Sequence, residues 1–259
     1  MPILFKQVTK AYPSPGGPAF LAVDSLSLTI DDGAFVVLLG ESGSGKTTTL
    51  KMINRLTEPT SGEIEIDGTA IRQMPAVALR RSIGYAFQGI GLFPHMSVAE
   101  NIAITPELLG WKRADIDARI DELLELVALP PGTYRDRMPS ELSGGQRQRI
   151  GFARALAARP KIMLLDEAFG ALDPVTRDEL RDQFKQIHTK LGLTTILVSH
   201  DMAEALILAD RILVMRQGRI LQDGSPADLV NAPADPYVAD LMAAPRHAAR
   251  ALEALEAAP

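Results

Sequence analysis

The sequence lacks cysteine altogether, and it lacks any hydrophobic run long enough to cross a bilayer. Without cysteine, disulfide frameworks, thiolate nucleophiles and cysteine-based zinc or iron–sulfur sites are excluded. A membrane-spanning helix would need roughly 18 consecutive apolar residues. The opening residues, Met-Pro-Ile-Leu-Phe-Lys, also lack the apolar region of a signal peptide. We therefore expect a soluble protein of a reducing compartment, namely the cytoplasm.

An excess of basic charge is absent as well. There are 27 Lys and Arg residues against 32 Asp and Glu residues, which leaves a formal net charge of −5. This balance argues against a nucleic-acid partner, because proteins that bind nucleic acids usually carry a basic patch or stripe. Apolar residues make up 46% of the 259 residues, enough to bury a sizeable core in one or two domains.

Short apolar runs alternate with helical patterns along most of the chain. The run at 34–39 is continuous and bounded by turn residues, as is typical of a buried central strand. Similar strand patterns lie at 162–165, 194–198 and 212–215. Strands that alternate with helices predict an α/β fold with a mostly parallel sheet. Residues from about 89 to 157 carry helical patterns instead, and they predict an inserted helical subdomain.

Individual elements can be placed from the same patterns. Alternating apolar residues predict a half-buried strand over 25–30. One helix is predicted over 46–56, and another over 114–129, where the following prolines end it.

A glycine-rich loop connects the predicted strand at 34–39 to the predicted helix at 46–56. Its sequence over 40–47, Gly-Glu-Ser-Gly-Ser-Gly-Lys-Thr, matches the phosphate-binding pattern G-x-x-x-x-G-K-[ST] in the strand–loop–helix context that the pattern needs. Lys46 is expected to reach the β- and γ-phosphates, and the Thr47 hydroxyl to bind Mg²⁺. The predicted nucleotide-binding residues of this loop are Gly40, Glu41, Ser42, Gly43, Ser44, Gly45, Lys46, Thr47 and Thr48.

Two adjacent carboxylates, Asp166 and Glu167, follow the predicted strand at 162–165. A carboxylate at the end of a buried strand beside a phosphate loop can hold Mg²⁺, which is the role predicted for Asp166. Glu167 is then placed to act as general base toward an attacking water. Without the phosphate loop, the pair would equally suit the start of a polar loop.

Two further side chains are predicted at the same edge of the sheet. His200 follows the strand at 194–198, and it is expected to contact the γ-phosphate or orient the water; the alternative is a residue that only starts a helix. Gln88 follows the alternating residues 83–87, and its amide is expected to reach Mg²⁺ or the water. The other histidines show no metal-ligand spacing and are interpreted as structural or solvated: His95, His188 and His247.

The segment Leu-Ser-Gly-Gly-Gln at 142–146 precedes another helix. Ser143 and Gln146 fit a capping box, which alone explains both residues. The consecutive Gly144 and Gly145 exceed what a cap requires, and they would let a phosphate approach the helix N-terminus closely. Two phosphate-binding helix ends do not fit one nucleotide within one chain. A symmetric dimer, in which each Ser143 end closes on the Lys46 site of the other copy, resolves this.

These motifs occur in the order found in the ATP-hydrolysing subunits of ABC transporters: the phosphate loop, Gln88, 142–146, Asp166-Glu167, Ala171-Leu172-Asp173 and His200. The chain resembles that family over about 1–242, which leaves 243–259 as a C-terminal tail. The resemblance implies a P-loop NTPase core with a mostly parallel sheet, an N-terminal antiparallel β subdomain and an α-helical subdomain inserted at about 89–157.

The resemblance also implies how the site is completed. Two copies, or one copy and a paralogue, form a head-to-tail dimer that sandwiches two ATP molecules with Mg²⁺ and opens after hydrolysis. Tyr12 would stack on the adenine, with an ordinary aromatic residue at a strand end as the alternative, and Asp173 would contact the other copy. Leu92, Phe93 and Pro94 would form part of the surface that meets the membrane subunits; ordinary packing of Leu92 and Phe93 is the alternative.

Three segments, 89–102, 106–111 and 169–177, resemble importers of quaternary-amine osmoprotectants such as glycine betaine, choline and carnitine. In such importers the partners are integral membrane permease subunits and, indirectly, an extracytoplasmic solute-binding protein; the ATPase is peripheral at the cytoplasmic face of the cell membrane. Another small solute, such as an amino acid or a sulfonate, is the alternative. The sequence shows no pair of CBS repeats, so we expect no sensing of ionic strength through such a module, and Ala168 stands where many relatives have proline.

Other functional classes fit the residues less well. Soluble ABC ATPases of DNA repair, chromosome organisation or translation usually carry two cassettes or a long insertion, which this chain lacks between Gln88 and Leu142. A small-molecule kinase that shares only the phosphate loop would leave 142–146 unexplained. A partner that binds ATP without turnover would not need Glu167 and His200. Exporter cassettes are often fused to their membrane domain, so a free-standing cassette favours import.

Overall fold

The computed structural model describes residues 1–14, 17–87, 89, 91–170 and 172–243. The strands are β1 (Ile3–Tyr12), β2 (Phe20–Ile30), β3 (Phe35–Leu39), β4 (Ser61–Ile66), β5 (Thr69–Ala70), β6 (Ile83–Phe87), β7 (Ile162–Asp166), β8 (Thr194–Ser199), β9 (Arg211–Arg216) and β10 (Arg219–Gly224). The helices are α1 (Lys46–Ile53), α2 (Ala76–Ser82), α3 (Val98–Leu108), α4 (Arg113–Leu126), α5 (Pro131–Tyr134), α6 (Gly144–Leu156), α7 (Pro174–Leu191), α8 (Met202–Leu208) and α9 (Pro226–Asn231).

Two sheets form the framework of the described part of the chain. The larger has six strands in the order β10-β9-β3-β8-β7-β6, and all neighbours in it pair in parallel except β10, which is antiparallel to β9. The smaller has four strands in the order β2-β1-β4-β5, all antiparallel. The predicted α/β fold, with a mostly parallel sheet and an N-terminal antiparallel part, is confirmed.

Strand β3 lies inside the larger sheet and is buried on both faces. Val36 and Leu38 pack in the cluster that joins this sheet to the antiparallel one. Phe35, Val37 and Leu39 pack on the opposite face, in the cluster shared with the helices of the middle third. A strand covered on both sides needs apolar residues at every position, which explains the continuous run in the sequence.

The helices of the middle third lie within the predicted insertion. Helix α3 starts with a complete capping box between Ser97 and Glu100, and its buried Asn101 holds the loop that precedes it. The Asn101 amide donates to the carbonyl oxygens of Phe93 and Met96, and it accepts from the Phe93 N–H at 2.8 Å. The surface around Phe93 is therefore fixed by a buried side chain of the helix behind it.

A cluster of buried phenylalanines connects the helical part to the site-bearing loops. Phe152 of α6 packs 5.5 Å from the Phe169 ring, which follows β7, and 5.0 Å from Phe184 of α7. Phe184 in turn meets Phe35 of β3 edge-on at 6.1 Å. Such aromatic contacts add about 0.5–1.5 kcal/mol each beyond their burial. They connect the bodies of α6 and α7 to the sheet and to the residue that follows β7.

Several predicted boundaries were wrong by a few residues. The helix predicted over 46–56 ends at Ile53, because Arg55 has φ of 56° and leaves the helical conformation. The helix predicted over 114–129 spans Arg113–Leu126 and stops before Ala128, which also has φ of 56°. Among the described helices, none combines the length and apolar character that crossing a membrane requires.

Candidate active site

The loop between β3 and α1 adopts a backbone that only glycine fits at its two ends. Gly40 and Gly45 have φ of 148° and 104°. A Cβ at Gly40 would lie 2.1 Å from the Met215 carbonyl oxygen, and one at Gly45 would lie 2.2 Å from that of Ala22. The loop therefore passes against two neighbouring strands with no space for a side chain. Its N–H groups remain at the start of α1, where an anion is favoured.

Lys46 is nearly fully buried at the first position of α1. Its Nζ donates to the carbonyl oxygens of Gly40 at 2.7 Å and Glu41 at 2.8 Å, so the side chain folds back across the loop. Burial lowers the pKa of this ammonium, while the neighbouring Glu167 and Asp166 carboxylates oppose the shift. An anionic phosphate in the loop would give the buried charge a stronger partner than two neutral carbonyls.

A cavity of about 190 Å³ opens beside this loop. Tyr12, from the end of β1, lines it together with Phe20 and the residues from Ser42 to Thr48, and Glu167 forms part of its wall. The Tyr12 ring is 40% exposed, and the Lys10 ammonium lies 4.9 Å from its centre. An exposed aromatic ring beside a phosphate loop is suitably placed for the predicted contact with a base.

Asp166 lies at the end of β7, beside the start of α1. Its Oδ1 accepts a hydrogen bond from the Thr47 hydroxyl at 2.9 Å, and its Oδ2 accepts one from the Tyr85 hydroxyl at 3.2 Å. Burial, followed by the Asp166 charge, raises the pKa of the Tyr85 phenol, so this group stays a proton donor. Tyr85 was not predicted from the sequence; its alternation within β6 gave no sign of a polar contact.

The pair formed by Thr47 and Asp166 suits Mg²⁺ better than a metal held by protein ligands alone. No group of three or more His, Cys, Asp or Glu side chains that could hold a metal occurs in the described ranges. Magnesium bound to a nucleotide typically takes one or two protein oxygens and completes its shell with phosphate oxygens and water. A hydroxyl and a carboxylate 2.9 Å apart fit that requirement.

Glu167 has a left-handed backbone, with φ of 50°. Such a conformation is strained for a residue with a side chain, and strain of this kind tends to collect at functional sites. The Glu167 N–H donates to the Val198 carbonyl at 3.0 Å, which ties the strained residue to the neighbouring strand β8. Its side chain, 30% exposed, lines the cavity beside the phosphate loop and also a second one that contains Thr47 and Asp166.

His200 follows β8 and is close to Glu167. Its Nδ1 lies 3.6 Å from the Glu167 Oε2, and its ring is 64% exposed. The parallel strands β7 and β8 are neighbours, so their ends bring the two side chains to one edge of the sheet. His188, interpreted as structural, is indeed buried; burial lowers its pKa, and its Nδ1 lies 2.9 Å from the Thr195 hydroxyl.

The start of α6 contains the complete capping box that the sequence predicts. The Ser143 hydroxyl accepts from the Gln146 N–H at 3.2 Å, and the Gln146 side-chain oxygen accepts from the Ser143 N–H at 2.9 Å. The Gln146 amide also donates to the Tyr134 hydroxyl at 3.0 Å. Ser143 is exposed, and residues 142–146 do not line the cavity beside the phosphate loop in the described structure.

The two glycines of this segment have different surroundings. A Cβ at Gly145 would lie 2.5 Å from the Thr176 methyl group, so this glycine is needed for packing α6 against α7. A Cβ at Gly144 would meet only Leu172, at 4.0 Å. The packing reason for Gly145 was not predicted from the sequence. The backbone at Gly144 stays open toward the exterior.

Asp173 caps the N-terminus of α7. Its carboxylate accepts from the Thr176 N–H at 3.1 Å, and this bond lowers its pKa. It lies beside the α6 start, because Gly145 contacts Thr176 one turn into α7. Gln88, Ala171 and the tail 244–259 lie outside the described residues, so the predicted roles of Gln88 have no structural counterpart here.

Comparison with known proteins gives a family match over the same region. A family model described as ABC transporter matches residues 23–170, more than half of the chain. The glycine betaine uptake ATP-binding protein YehX of Escherichia coli is 54% identical over 217 residues, which cover 84% of this chain and 70% of YehX. The osmoprotectant import ATP-binding protein OsmV of Salmonella typhimurium is 49% identical over 96% of this chain and 65% of OsmV.

Two further transport proteins and a solved structure also match. The glycine betaine/carnitine/choline transport ATP-binding protein OpuCA of Bacillus subtilis is 51% identical over 92% of this chain and 61% of OpuCA. The sulfate/thiosulfate import protein CysA of Mycobacterium bovis is 44% identical over 87% of this chain and 63% of CysA. A dimeric ATP-binding cassette solved with ADP and Pi superposes with a TM-score of 0.76, at 32% identity over 86% of this chain and 98% of that one.

Proposed function

The chain belongs to the ABC transporter family, and on that basis we propose that it is the ATP-hydrolysing subunit of an importer of quaternary-amine osmoprotectants such as glycine betaine, choline or carnitine. The observation that most strongly supports hydrolysis is the convergence of Lys46, Asp166, Glu167 and His200 on one edge of the central sheet. The chain spans between 61% and 70% of the length of the osmoprotectant relatives named above. The activity, the solute and the partners of this chain are therefore proposals.

The residues divide into those that hold the nucleotide and those that move a proton. The loop N–H groups and Lys46 bind the phosphates, and Tyr12 stacks on the adenine. Thr47 and Asp166 hold Mg²⁺, which when bound neutralises charge that develops on the phosphates. Glu167 accepts the proton of the attacking water, and His200, 3.6 Å away, orients the water or contacts the γ-phosphate. Gln88 is predicted to contact Mg²⁺ or the water.

A second chain completes each site. The exposed Ser143 and the open backbone at Gly144, followed by the buried Gly145, form the part that closes on the γ-phosphate held by the phosphate loop of the other copy. Gln146 fixes this helix start, and Asp173 contacts the other copy across the interface. The similar solved cassettes are described as dimeric, which supports this arrangement. A homodimer and a pairing with a paralogue are both compatible with it.

An apolar groove on the helical side is the proposed contact with the permease. The groove has a volume of about 320 Å³, and it is lined by Phe87, Phe93 and Ile104 together with three arginines, Arg80, Arg81 and Arg154. The Phe93 ring is 43% exposed although the Asn101 amide fixes its backbone. Leu92, in contrast, packs against the core, as the alternative interpretation of this segment expects. Through this contact the chain is peripheral at the cytoplasmic face of the cell membrane.

The solute is the part of the proposal that depends most on the relatives. YehX, OsmV and OpuCA, all between 49% and 54% identical, carry names of osmoprotectant systems, whereas CysA at 44% carries that of a sulfate system. The higher identities support a quaternary amine over another small solute. The solute-binding protein and the permease select the solute. This chain contacts only the cytoplasmic side of the permease.

The test is purification of the tagged chain from detergent-solubilised membranes of its own host. We expect an integral membrane protein in near-equal amount, and ATPase activity that rises with glycine betaine, choline or carnitine when the solute-binding protein is added. Sulfate serves as the matched control solute and should leave the rate unchanged. Recovery without a membrane protein, or together with ribosomes or DNA, would contradict the importer assignment. Stimulation by sulfate alone would contradict the solute.

A further inference from the structure

Arg181, on α7, is a buried arginine outside the groups assigned to hydrolysis above. Its side chain is 6% exposed and contacts three carboxylates. The Nε donates to Glu204 at 3.1 Å, one terminal nitrogen donates to Asp201 at 2.9 Å, and the other donates to Asp178 at 3.1 Å. Asp178 lies on α7 itself, whereas Asp201 caps the N-terminus of α8 and Glu204 lies in its first turn. The guanidinium of Arg181 and these three carboxylates therefore connect the two helices, and together they form the Arg181 bridge.

The two α8 carboxylates hold the chain on both sides of His200. Glu204 accepts a hydrogen bond from the Ser199 hydroxyl, directly before His200. Asp201, directly after His200, caps α8 by accepting from the Glu204 N–H at 3.2 Å, and its own N–H donates to the Ser199 hydroxyl at 3.0 Å. The exposed His200 imidazole therefore lies between two residues that are connected to Arg181. Ser199 is connected through Glu204, and Asp201 contacts Arg181 directly.

Burial makes this arrangement poorly suited to a purely stabilising role. Burial raises the pKa of Glu204, although hydrogen bonds from Ser199 and the Arg181 charge oppose the shift. Buried ion pairs are weak sources of net stability, because desolvation offsets their attraction, and apolar side chains often replace them without loss. An arginine is nevertheless specific here, since its planar donors reach separate carboxylates at the same time.

Helix α7 carries Arg181 and begins directly after Asp173, the residue predicted to contact the second chain. Asp173 caps its start, and Arg181 lies eight residues further on, or about 12 Å along the helix axis. Arg177, one turn before Arg181, donates to the Leu172 carbonyl at 2.7 Å and so ties the segment before Asp173 to the helix. Arg181 and the N-cap residue Asp173 therefore belong to one continuous helix.

We propose that Arg181 is a positioning residue, which holds the His200 loop against α7 so that closure of the dimer at Asp173 sets the imidazole for hydrolysis. This inference rests on the proposed function, because it assumes the role of His200 and the dimer contact of Asp173. Arg181 itself contacts neither the nucleotide nor the attacking water. It acts through Asp201 and Glu204.

Substitutions in the Arg181 bridge can distinguish a role in positioning His200 from a role in stability alone. Arg181→Lys keeps the charge but cannot reach both α8 carboxylates with a planar fork, and Asp201→Asn keeps the α8 cap but removes the charge that faces Arg181. We expect each to lower kcat for ATP by about tenfold or more, with KM for ATP within about threefold of wild type. Asp178→Asn is the matched control: it removes an Arg181 partner that lies on α7 itself and is 71% exposed, and its kcat should stay unchanged.

The decisive readout is a double-mutant cycle with His200→Ala, measured in single turnovers with the full chain in excess over ATP. If Arg181 acts through His200, Arg181→Lys lowers the rate in the wild-type background and has no further effect in the His200→Ala background. An equal loss in both backgrounds, or a kcat within about twofold of wild type in Arg181→Lys, would overturn the inference. If Arg181→Lys does not fold by circular dichroism, Asp201→Asn enters the same cycle with the same expected outcomes.

Two reference variants keep this test separate from the proposed function. Lys46→Ala should bind ATP about 10–100-fold more weakly, and Glu167→Gln should lose turnover. If both behave as wild type, the assigned hydrolysis site is wrong and the proposed function fails. If both lose activity while the cycle is additive, only the role of Arg181 fails.

Discussion

The substitution Glu167→Gln isolates the proton transfer from every other part of the site. Glutamine has the shape of glutamate, so the left-handed backbone at φ of 50° and the bond to the Val198 carbonyl stay in place. The phosphate loop and Lys46 are untouched, and ATP affinity should therefore be retained. What disappears is the only property that a general base needs, a carboxylate that can accept a proton.

The structure sets the size of the expected loss. A positioned general base is typically worth about 10²–10⁴-fold in rate, or roughly 3–5 kcal/mol of activation free energy. Asp166 is poorly placed to substitute, because its two oxygens already accept from the Thr47 and Tyr85 hydroxyls at 2.9 and 3.2 Å. His200 is close enough to supply residual proton transfer. We therefore expect kcat to fall by about 10²-fold or more.

The assay is release of inorganic phosphate at saturating ATP and Mg²⁺, together with the mass in solution by light scattering. Glu167→Gln should bind ATP, hydrolyse it slowly and accumulate as a dimer, whereas the wild type should return to a monomer as ATP is consumed. Glu125→Gln is the matched control, since it makes the same chemical change at an exposed position of α4. Turnover of Glu167→Gln within about threefold of the control would refute the general-base assignment.

Three further predictions test the loop and the core. Lys46→Ala should weaken ATP binding by about 10–100-fold in titration calorimetry, because a charge-assisted contact to phosphate is lost; unchanged affinity would contradict the phosphate-loop assignment. Gly45→Ala should lower Tm far more than Gly68→Ala, because both have positive φ but only Gly45 has a carbonyl oxygen where the Cβ would lie; equal shifts would contradict this. Burial lowers the pKa of His188 below 6.5, so the unfolded chain protonates first and stability should fall as pH drops below about 6.5. Wild type should lose more Tm than His188→Gln between pH 7.5 and about 5.5, and parallel losses would rule out this histidine as the cause.

The sequence predicts the centre of the fold well because local patterns determine it. The continuous apolar run of β3 and the glycine spacing of the following loop can each be recognised within a few consecutive residues. The N-terminal sheet is harder to see. Strand β1 has φ of 48° at Gln7 and several shifts of register, and β2 has φ of 50° at Ser25. These interruptions break the alternation, so β2 was recognised only from 25 onward although it begins at Phe20.

The candidate site shows the same division between local and long-range information. The capping box at Ser143 and Gln146 follows from spacing alone, and the structure contains it. The Tyr85 contact with Asp166 joins residues 81 positions apart, and the Arg181 bridge joins α7 to α8. Gly145 has a packing partner, Thr176, that no local pattern reveals. Contacts between distant segments depend on the tertiary structure, which is why they were missed.

The site composed of two chains can be tested by mixing two inactive variants. Lys46→Ala removes the phosphate-binding half of each site, and Ser143→Arg obstructs the half that closes from the other chain, so neither homodimer should hydrolyse ATP. In a head-to-tail mixed dimer, one site combines an intact Lys46 with an intact Ser143. An equimolar mixture should therefore recover up to about a quarter of wild-type activity, since about half of the dimers are mixed and one of their two sites is intact. A mixture no more active than its components would contradict a composite site built from two chains.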